Sequence, residues 1–335
     1  MSDSLLYKLR SGKPPKALFF IKGYLKACIP SCLFESRRKK LLDELDARED
    51  KEYILSRVSY YNKMQHRTSL PTDTVRDHKG SYYIFVDKVK NFRSSTFHKA
   101  YYFDLQDVAR YFSPEARIAY IPGDVYFTPS YPAIVKSRLL KDDNETSVVL
   151  KLDKLRHFMF VNDTKPFSEK KDQAIFRGKI RLSRNREQFL SMYFGSAICD
   201  CGIVDKDTRH PEWITPKKTI REHLDYKFIM ALEGNDVASN LKWVMSSNSI
   251  AVMTRPTCET WFMEGTLIPN YHYIEIKDDL SDLEERLNYY IAHPAEAQQI
   301  IDHAHEYVRQ FFDTRRERLI QLLVMEKYLQ TTGQL

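Results

Sequence analysis

The chain has 335 residues, 43% of them hydrophobic and 29% charged, with 21 Tyr and 19 Phe, a composition that excludes a disordered chain and suffices for two folded domains of ~150 residues each. The net charge of +7 is concentrated: residues 1–40 hold ten Lys/Arg against Asp3 and Glu35, a balance of +8 that leaves −1 for the other 295 residues. The basic character therefore belongs to the N-terminal segment and not to the body. That segment reads in three ways: a nucleic-acid contact, an anionic membrane surface contact with Leu18, Phe19, Phe20, Ile21, Tyr24 and Leu25 among the lysines, or a solvated basic helix packed on the body. Its apolar run at residues 17–21 is too short for a span of ~20 residues and lacks a secretory cleavage pattern, so a cytoplasmic protein is expected. Five cysteines do not read as a disulfide framework. Neither Cys28/Cys32 nor Cys199/Cys201 has a second pair to complete a zinc site, so free thiols are expected.

In chain order, residues 36–63 carry a charged helical pattern. Residues 82–86 (YYIFV), 117–121 (RIAYI), 147–152 (SVVLKL) and 158–161 (FMFV) read as strands, the second ended by Pro122-Gly123. The polar stretch 162–172 (NDTKPFSEKKD) reads as an interdomain linker. After it strands and helices alternate: a strand at 174–176 opening onto Arg177-Gly178, a helix at 185–193, a helix at 219–224, a strand at 226–233, a turn at Gly234-Asn235 and a helix at 237–246. A strand at 250–253, another at 273–276, a helix at 282–292 stopped by His293-Pro294, and a long helix over 295–312 complete the pattern. Alternation of this kind predicts a parallel sheet covered on both faces, and two such halves predict a ligand cleft. The expected division is a basic segment 1–40, an N-terminal domain 41–165, a C-terminal domain 173–312 and a helix or tail 313–335.

The most specific text is residues 226–243 (YKFIMALEGNDVASNLKW). A buried strand ends in Glu233-Gly234-Asn235-Asp236 and a helix is expected within three residues. Glycine there lets a backbone approach a phosphate, the helix start offers free N–H groups, and Ser239 and Lys242 add a hydroxyl and a charge. The same text is compatible with a glycine kept for turn geometry alone, and GxGxxG is absent.

This stretch, with residues 246–252 (SSNSIAV), 259–262 (ETWF) and 272–284 (HYIEIKDDLSDLE), resembles glycosyltransferase family 90, closest to its bacterial lipopolysaccharide-core branch. The likeness runs from about residue 117 to 311. Arg177-Gly178 resembles the family's arginine–glycine turn, and residues 121–125 (IPGDV) stand where the family has a strand followed by an aspartate. The resemblance implies an α/β fold of GT-B type, two Rossmann-like domains facing a cleft, with a C-terminal helix. It implies an inverting glycosyltransferase that moves a hexose or pentose from a UDP-sugar to a lipopolysaccharide or lipooligosaccharide core acceptor, with no metal and no cofactor. Such a displacement needs one general base and positive charge around the leaving diphosphate.

On that resemblance Asp124 is the base. Arg177, Gly178, Arg186, Gly234, Asn235, Asp236, Val237, Ala238, Ser239, Asn240 and Lys242 contact the donor, and Glu259 takes the ribose hydroxyls. Asn240 stands where animal members have an arginine, so Lys242 and Arg184 are the candidates for the missing charge. Lys136 and Arg138 are placed on the acceptor side, facing either an anionic acceptor or solvent. The Asp205-Lys206-Asp207 triplet has a metal-binding form that the family does not use, and His303 and His305 sit two apart on a helix, off a common face. The alternatives are a protein O-glycosyltransferase of the same fold, or a non-catalytic membrane- or RNA-binding protein acting through residues 8–40. Peripheral attachment to the inner face of a bacterial inner membrane is expected and nucleic acid is not; which sugar is moved is not legible.

Overall fold

A computed structural model describes residues 12–13, 15–93, 99–141, 143–180, 183–204 and 209–335. In chain order the strands are β1 (Val75–Asp77), β2 (Tyr82–Lys88), β3 (Arg117–Tyr120), β4 (Ala133–Val135), β5 (Ser137–Leu139), β6 (Ser147–Val149), β7 (Lys171–Gly178), β8 (Cys199–Ile203), β9 (Tyr226–Met230), β10 (Ile250–Met253), β11 (Cys258–Thr260) and β12 (Ile274–Glu275). The longer helices are α1 (Lys16–Ala27), α2 (Cys32–Asp43), α3 (Lys51–Tyr61), α4 (Lys99–Ala109), α5 (Arg184–Tyr193), α6 (Leu283–Ala292), α7 (Pro294–Arg309) and α8 (Thr314–Thr331). The fold is mixed α/β, and it divides into two compact units: Pro15–Leu155 with Cys258–Met263 and Phe311–Leu335, and Arg156–Thr257 with Glu264–Gln310.

The first unit is built on a sheet of order β1-β2-β3-β4-β6. Its β1/β2 and β2/β3 pairs are antiparallel, and β3/β4 and β4/β6 are parallel. A separate antiparallel pair joins β5 to β11. Helix α8 is the unit's last element. Asp313 caps it by accepting from the N–H groups of Arg315 and Arg316, and the Tyr328 hydroxyl is buried, accepting from Ala119 N at 2.9 Å and donating to Pro132 O at 3.2 Å. Trp261 is wholly buried and stacks on Tyr61 with centroids 3.8 Å apart. Its indole Nε1 donates to Glu317 at 2.7 Å, and Glu317 also pairs with Arg57 at 2.6 Å and Lys151 at 2.9 Å. The charges of Glu317, Arg57 and Lys151 and the indole N–H of Trp261 are costly to bury unpaired, so the set is buried together.

The second unit holds a five-stranded sheet of order β12-β10-β9-β7-β8, parallel throughout. Strands β9 and β10 are buried at every position, as expected for central parallel strands covered on both faces. Ser183 caps α5, Thr219 and Glu222 form a capping box before the helical turn Ile220–His223, and Pro294 starts α7 at a position where its missing N–H is harmless.

Several expectations are corrected. Residues 158–161 form no strand. The polar stretch 162–172 is not a linker: Asp163 accepts from Lys170 Nζ at 2.7 Å and from Asn248 N at 3.0 Å, with both members of the ion pair buried, so it is packed inside the second unit. The units part instead at Leu155/Arg156, and residues 313–335 form α8 within the first unit. The helix expected over 237–246 is confined to Leu241–Val244. All five cysteines are free, Cys28 and Cys32 exposed and the other three buried.

Candidate functional site

Numbered from β7, the second unit's sheet runs 5-4-3-1-2, so the chain leaves β7 and β9 towards opposite faces. The crevice outside their carboxyl ends is the topological switch point, where parallel α/β sheets take ligands. At β7 this end carries Arg177, Gly178 and Lys179; at β9 it carries residues 231–240. Arg186 joins the two. From the first turn of α5 its Nη1 donates to Lys179 O at 3.0 Å, after β7, while Nε and Nη2 donate to Leu232 O at 3.2 and 2.8 Å, after β9. Ser183 braces the same place, its Oγ donating to Glu233 O at 3.1 Å. The Arg186 guanidinium thus bridges the carbonyls that follow the two strands.

Gly234 makes room for that arrangement. A Cβ at this position would stand 3.1 Å from Arg186 Nη2 and 3.3 Å from Cζ and Nη1. The turn is closed by Gly234 N donating to Asp236 O at 2.9 Å and by Asn240 Nδ2 donating to Met230 O at 3.0 Å. Asn235 is exposed, Ser239 and Asn240 are half-buried, and Asp236, Val237 and Ala238 are buried. Because regular helix starts only at Leu241, these residues offer a bent turn and not the first turn of a helix. Glu233 ties the loop to the next strand's exit by accepting from Thr257 N at 3.1 Å and Thr257 Oγ1 at 2.6 Å.

Two expected donor contacts of this unit have their charged groups engaged within the unit. Lys242 is fully buried with its Nζ 2.5 Å from Glu264; a cation in that position needs its carboxylate partner and is not offered to a phosphate. Arg177 is committed to β8 and its surroundings. It donates to Phe176 O at 2.9 Å and to Asp200 O at 2.8 Å, reaches Pro216 O at 3.2 Å, and pairs with the Asp200 carboxylate at 2.5 Å. Burial pushes the Asp200 carboxyl up, but the Tyr226 hydroxyl and Arg177 outweigh it and hold the group below its ordinary range. Arg184, at the start of α5, is exposed. At the exit of β10 stands Arg255, largely exposed and 2.9 Å from Glu275, a cation that the sequence reading passed over because nothing local marks it.

In the first unit Asp124 follows β3 through Pro122-Gly123. Gly123 has φ +99°, a conformation that strains any other residue. The loop is pinned to β5 by Ser137 Oγ, which accepts from Val125 N at 3.0 Å and lies 3.1 Å from Val125 O. The Asp124 side chain keeps 30% of its surface open, and Lys136, itself buried, holds Oδ1 at 2.6 Å. Lys136 is therefore a partner of Asp124 and not an outward acceptor contact. Arg138 and Glu259 are corrected likewise. Both are buried, with Arg138 Nε 2.7 Å from Glu259 Oε1, Arg138 Nη2 2.7 Å from Tyr60 O, and the Tyr60 hydroxyl on Glu259 Oε2. Glu259 fastens β11 to β5 instead of meeting a ribose. Among the described residues no three His, Cys, Asp or Glu side chains cluster as metal ligands; the triplet 205–207 lies outside the described residues.

The family model described as Glycosyl transferase family 90 matches residues 146–329. With more than half the chain matched, the protein belongs to glycosyltransferase family 90 and is a glycosyltransferase. Among curated relatives, the O-glucosyltransferase LpsA of Dichelobacter nodosus is 36% identical over 315 residues, covering 93% of this chain and 95% of that protein. The family match contains the whole switch-point crevice and begins after Asp124.

Proposed function

We propose that this glycosyltransferase moves a hexose or pentose from a UDP-sugar to a lipopolysaccharide or lipooligosaccharide core acceptor by one inverting displacement, with Asp124 as general base and no metal ion. The observation that carries the reading is Arg186, a guanidinium bound to the carbonyls that follow β7 and β9. A diphosphate leaving group gathers negative charge as the glycosidic bond breaks, and a cation fixed beforehand stabilises that charge without reorganising. The Gly234 turn lets backbone come close to the phosphates, and the half-buried Ser239 offers a hydroxyl. Asp124, held by Lys136 and partly open, accepts the acceptor hydroxyl's proton while that oxygen attacks the anomeric carbon; a positioned base of this kind contributes about 10²–10⁴-fold. The name of the Dichelobacter nodosus relative, an O-glucosyltransferase, puts UDP-glucose first among the donors to try.

A calorimetric titration of UDP with EDTA present tests the donor site. Binding is expected for the native chain and for Asp124→Asn, and is expected to weaken at least tenfold for Arg186→Ala, the loss of one charge-assisted contact. Failure of the native chain to bind UDP overturns the reading.

A further inference from the structure

Helix α1 has two apolar faces, and the fold uses one. Towards the first unit it presents Phe20, Gly23 and Tyr24: a Cβ on Gly23 would lie 2.7 Å from the Phe103 ring, and the Tyr24 ring meets Phe103 edge-on at 4.9 Å. Arg110 Nη1 secures the docked helix by donating to Lys26 O at 2.7 Å. On the opposite side Leu18, Ile21 and Leu25, spaced i, i+3, i+7, share one face and are 48%, 56% and 65% exposed; beyond the end of α1, Ile29 and Leu33 are 43% and 51% exposed. Docking on Phe103 explains none of these five. Eight cationic residues (Lys13, Lys16, Lys22, Lys26, Arg37, Arg38, Lys39 and Lys40) stand within residues 12–40 against the single Glu35. Lys16, Lys22, Arg37, Lys39 and Lys40 are exposed.

We propose that this outward face of α1 and the start of α2 is an interfacial membrane anchor, in which Leu18, Ile21 and Leu25 insert among the acyl chains of an anionic leaflet while the flanking lysines meet the headgroups. Twelve residues make a helix of ~18 Å, too short to span ~30 Å of hydrocarbon. The following helical segment turns away from α1 by 99°, so α1 lies along a surface and does not continue through it. Charge decides the occupant: an apolar stripe edged by an excess of cations suits an anionic bilayer better than a second copy of the same basic face, which would repel it. The inference stands on surface geometry alone and does not depend on the nature of the sugar acceptor.

The test is vesicle flotation of the full chain at ~0.1 M salt, with phosphatidylcholine vesicles carrying ~30% phosphatidylglycerol and with phosphatidylcholine alone. The full chain is expected to float with the anionic vesicles and not with the neutral ones. The Leu18→Gln, Ile21→Gln, Leu25→Gln triple variant is expected to lose at least about 10-fold in partitioning with an unchanged melting temperature. In a Leu25→Trp variant, anionic vesicles are expected to shift the indole emission to the blue, a readout independent of the triple variant's folding. No flotation of the native chain, equal flotation of the triple variant, or an unmoved emission maximum overturns the proposal. So does a native dimer that the triple variant converts to monomer without any lipid binding.

Discussion

Gly234→Ala tests the switch-point geometry with a single methyl group. The added Cβ would meet the Arg186 guanidinium at 3.1–3.3 Å, closer than carbon normally tolerates, so the guanidinium must retreat by a few tenths of an ångström. Its shortest anchor, 2.8 Å to Leu232 O, then lengthens past ~3.1 Å, where hydrogen bonds weaken. If an anion contact through this group is worth about 1.5–3 kcal/mol, losing a third to a half of it amounts to about 1 kcal/mol, or roughly fivefold in UDP affinity. Gly234 lies outside the positive-φ glycines, so the alanine itself adds no backbone strain. The decisive assay is a double-mutant cycle on the UDP dissociation constant with Arg186→Ala. Once the guanidinium is gone the methyl group has nothing to displace, and Gly234→Ala should cost nothing further, a coupling of about 1 kcal/mol. Additive losses, or a Gly234→Ala protein with native affinity, would refute the claim that this glycine exists to seat Arg186.

Asp124→Asn should lower transfer by about 10²–10⁴-fold with UDP affinity unchanged, measured as steady-state turnover beside calorimetry; near-native turnover would remove Asp124 as the base. Glu317→Gln leaves Arg57 and Lys151 facing a neutral side chain in a buried site, and should cost about 3–5 kcal/mol in urea unfolding. A loss below about 1 kcal/mol would contradict that. Burial pushes the Asp104 carboxyl up to about 6, with Lys154 pulling it back. The folded value thus lies above the ordinary 3.8, so the stabilisation by its neutral form is full below about pH 4 and lost as pH rises through about 6. The stability of the native chain relative to Asp104→Asn should accordingly fall by up to about 3 kcal/mol between pH 4 and 7. A difference that stays flat with pH would contradict it.

The second unit's sheet was the most legible part of the fold. Residues 250–253 are a continuous apolar run and residues 226–230 are apolar but for Lys227, which pairs with Asp172, because parallel central strands are buried on both faces, and Gly178 and Gly234 punctuate their neighbours. The three-residue strands β4, β5 and β11 left no period to read, and 158–161 has an apolar run without a partner strand. The helix expected from Val237 is shortened to Leu241–Val244, since Asn240 spends its side chain on Met230 O where a helix would need regular backbone. Of the proposed site, the Gly234 turn was read from local pattern and Arg186 from resemblance. The errors were charges: Lys136, Arg138, Lys242 and Glu259 look like surface groups in a sequence, yet each is buried against a partner 12 to 121 residues away. Pairing at that distance has no local signature.

The most direct measurement follows UDP release from UDP-glucose, UDP-galactose, UDP-xylose and UDP-N-acetylglucosamine, with EDTA present and truncated lipopolysaccharide as acceptor. The account predicts acceptor-dependent turnover of one donor, undiminished by the chelator and giving a product of inverted anomeric configuration. Turnover that requires an added divalent ion, or retention at the anomeric carbon, would contradict it.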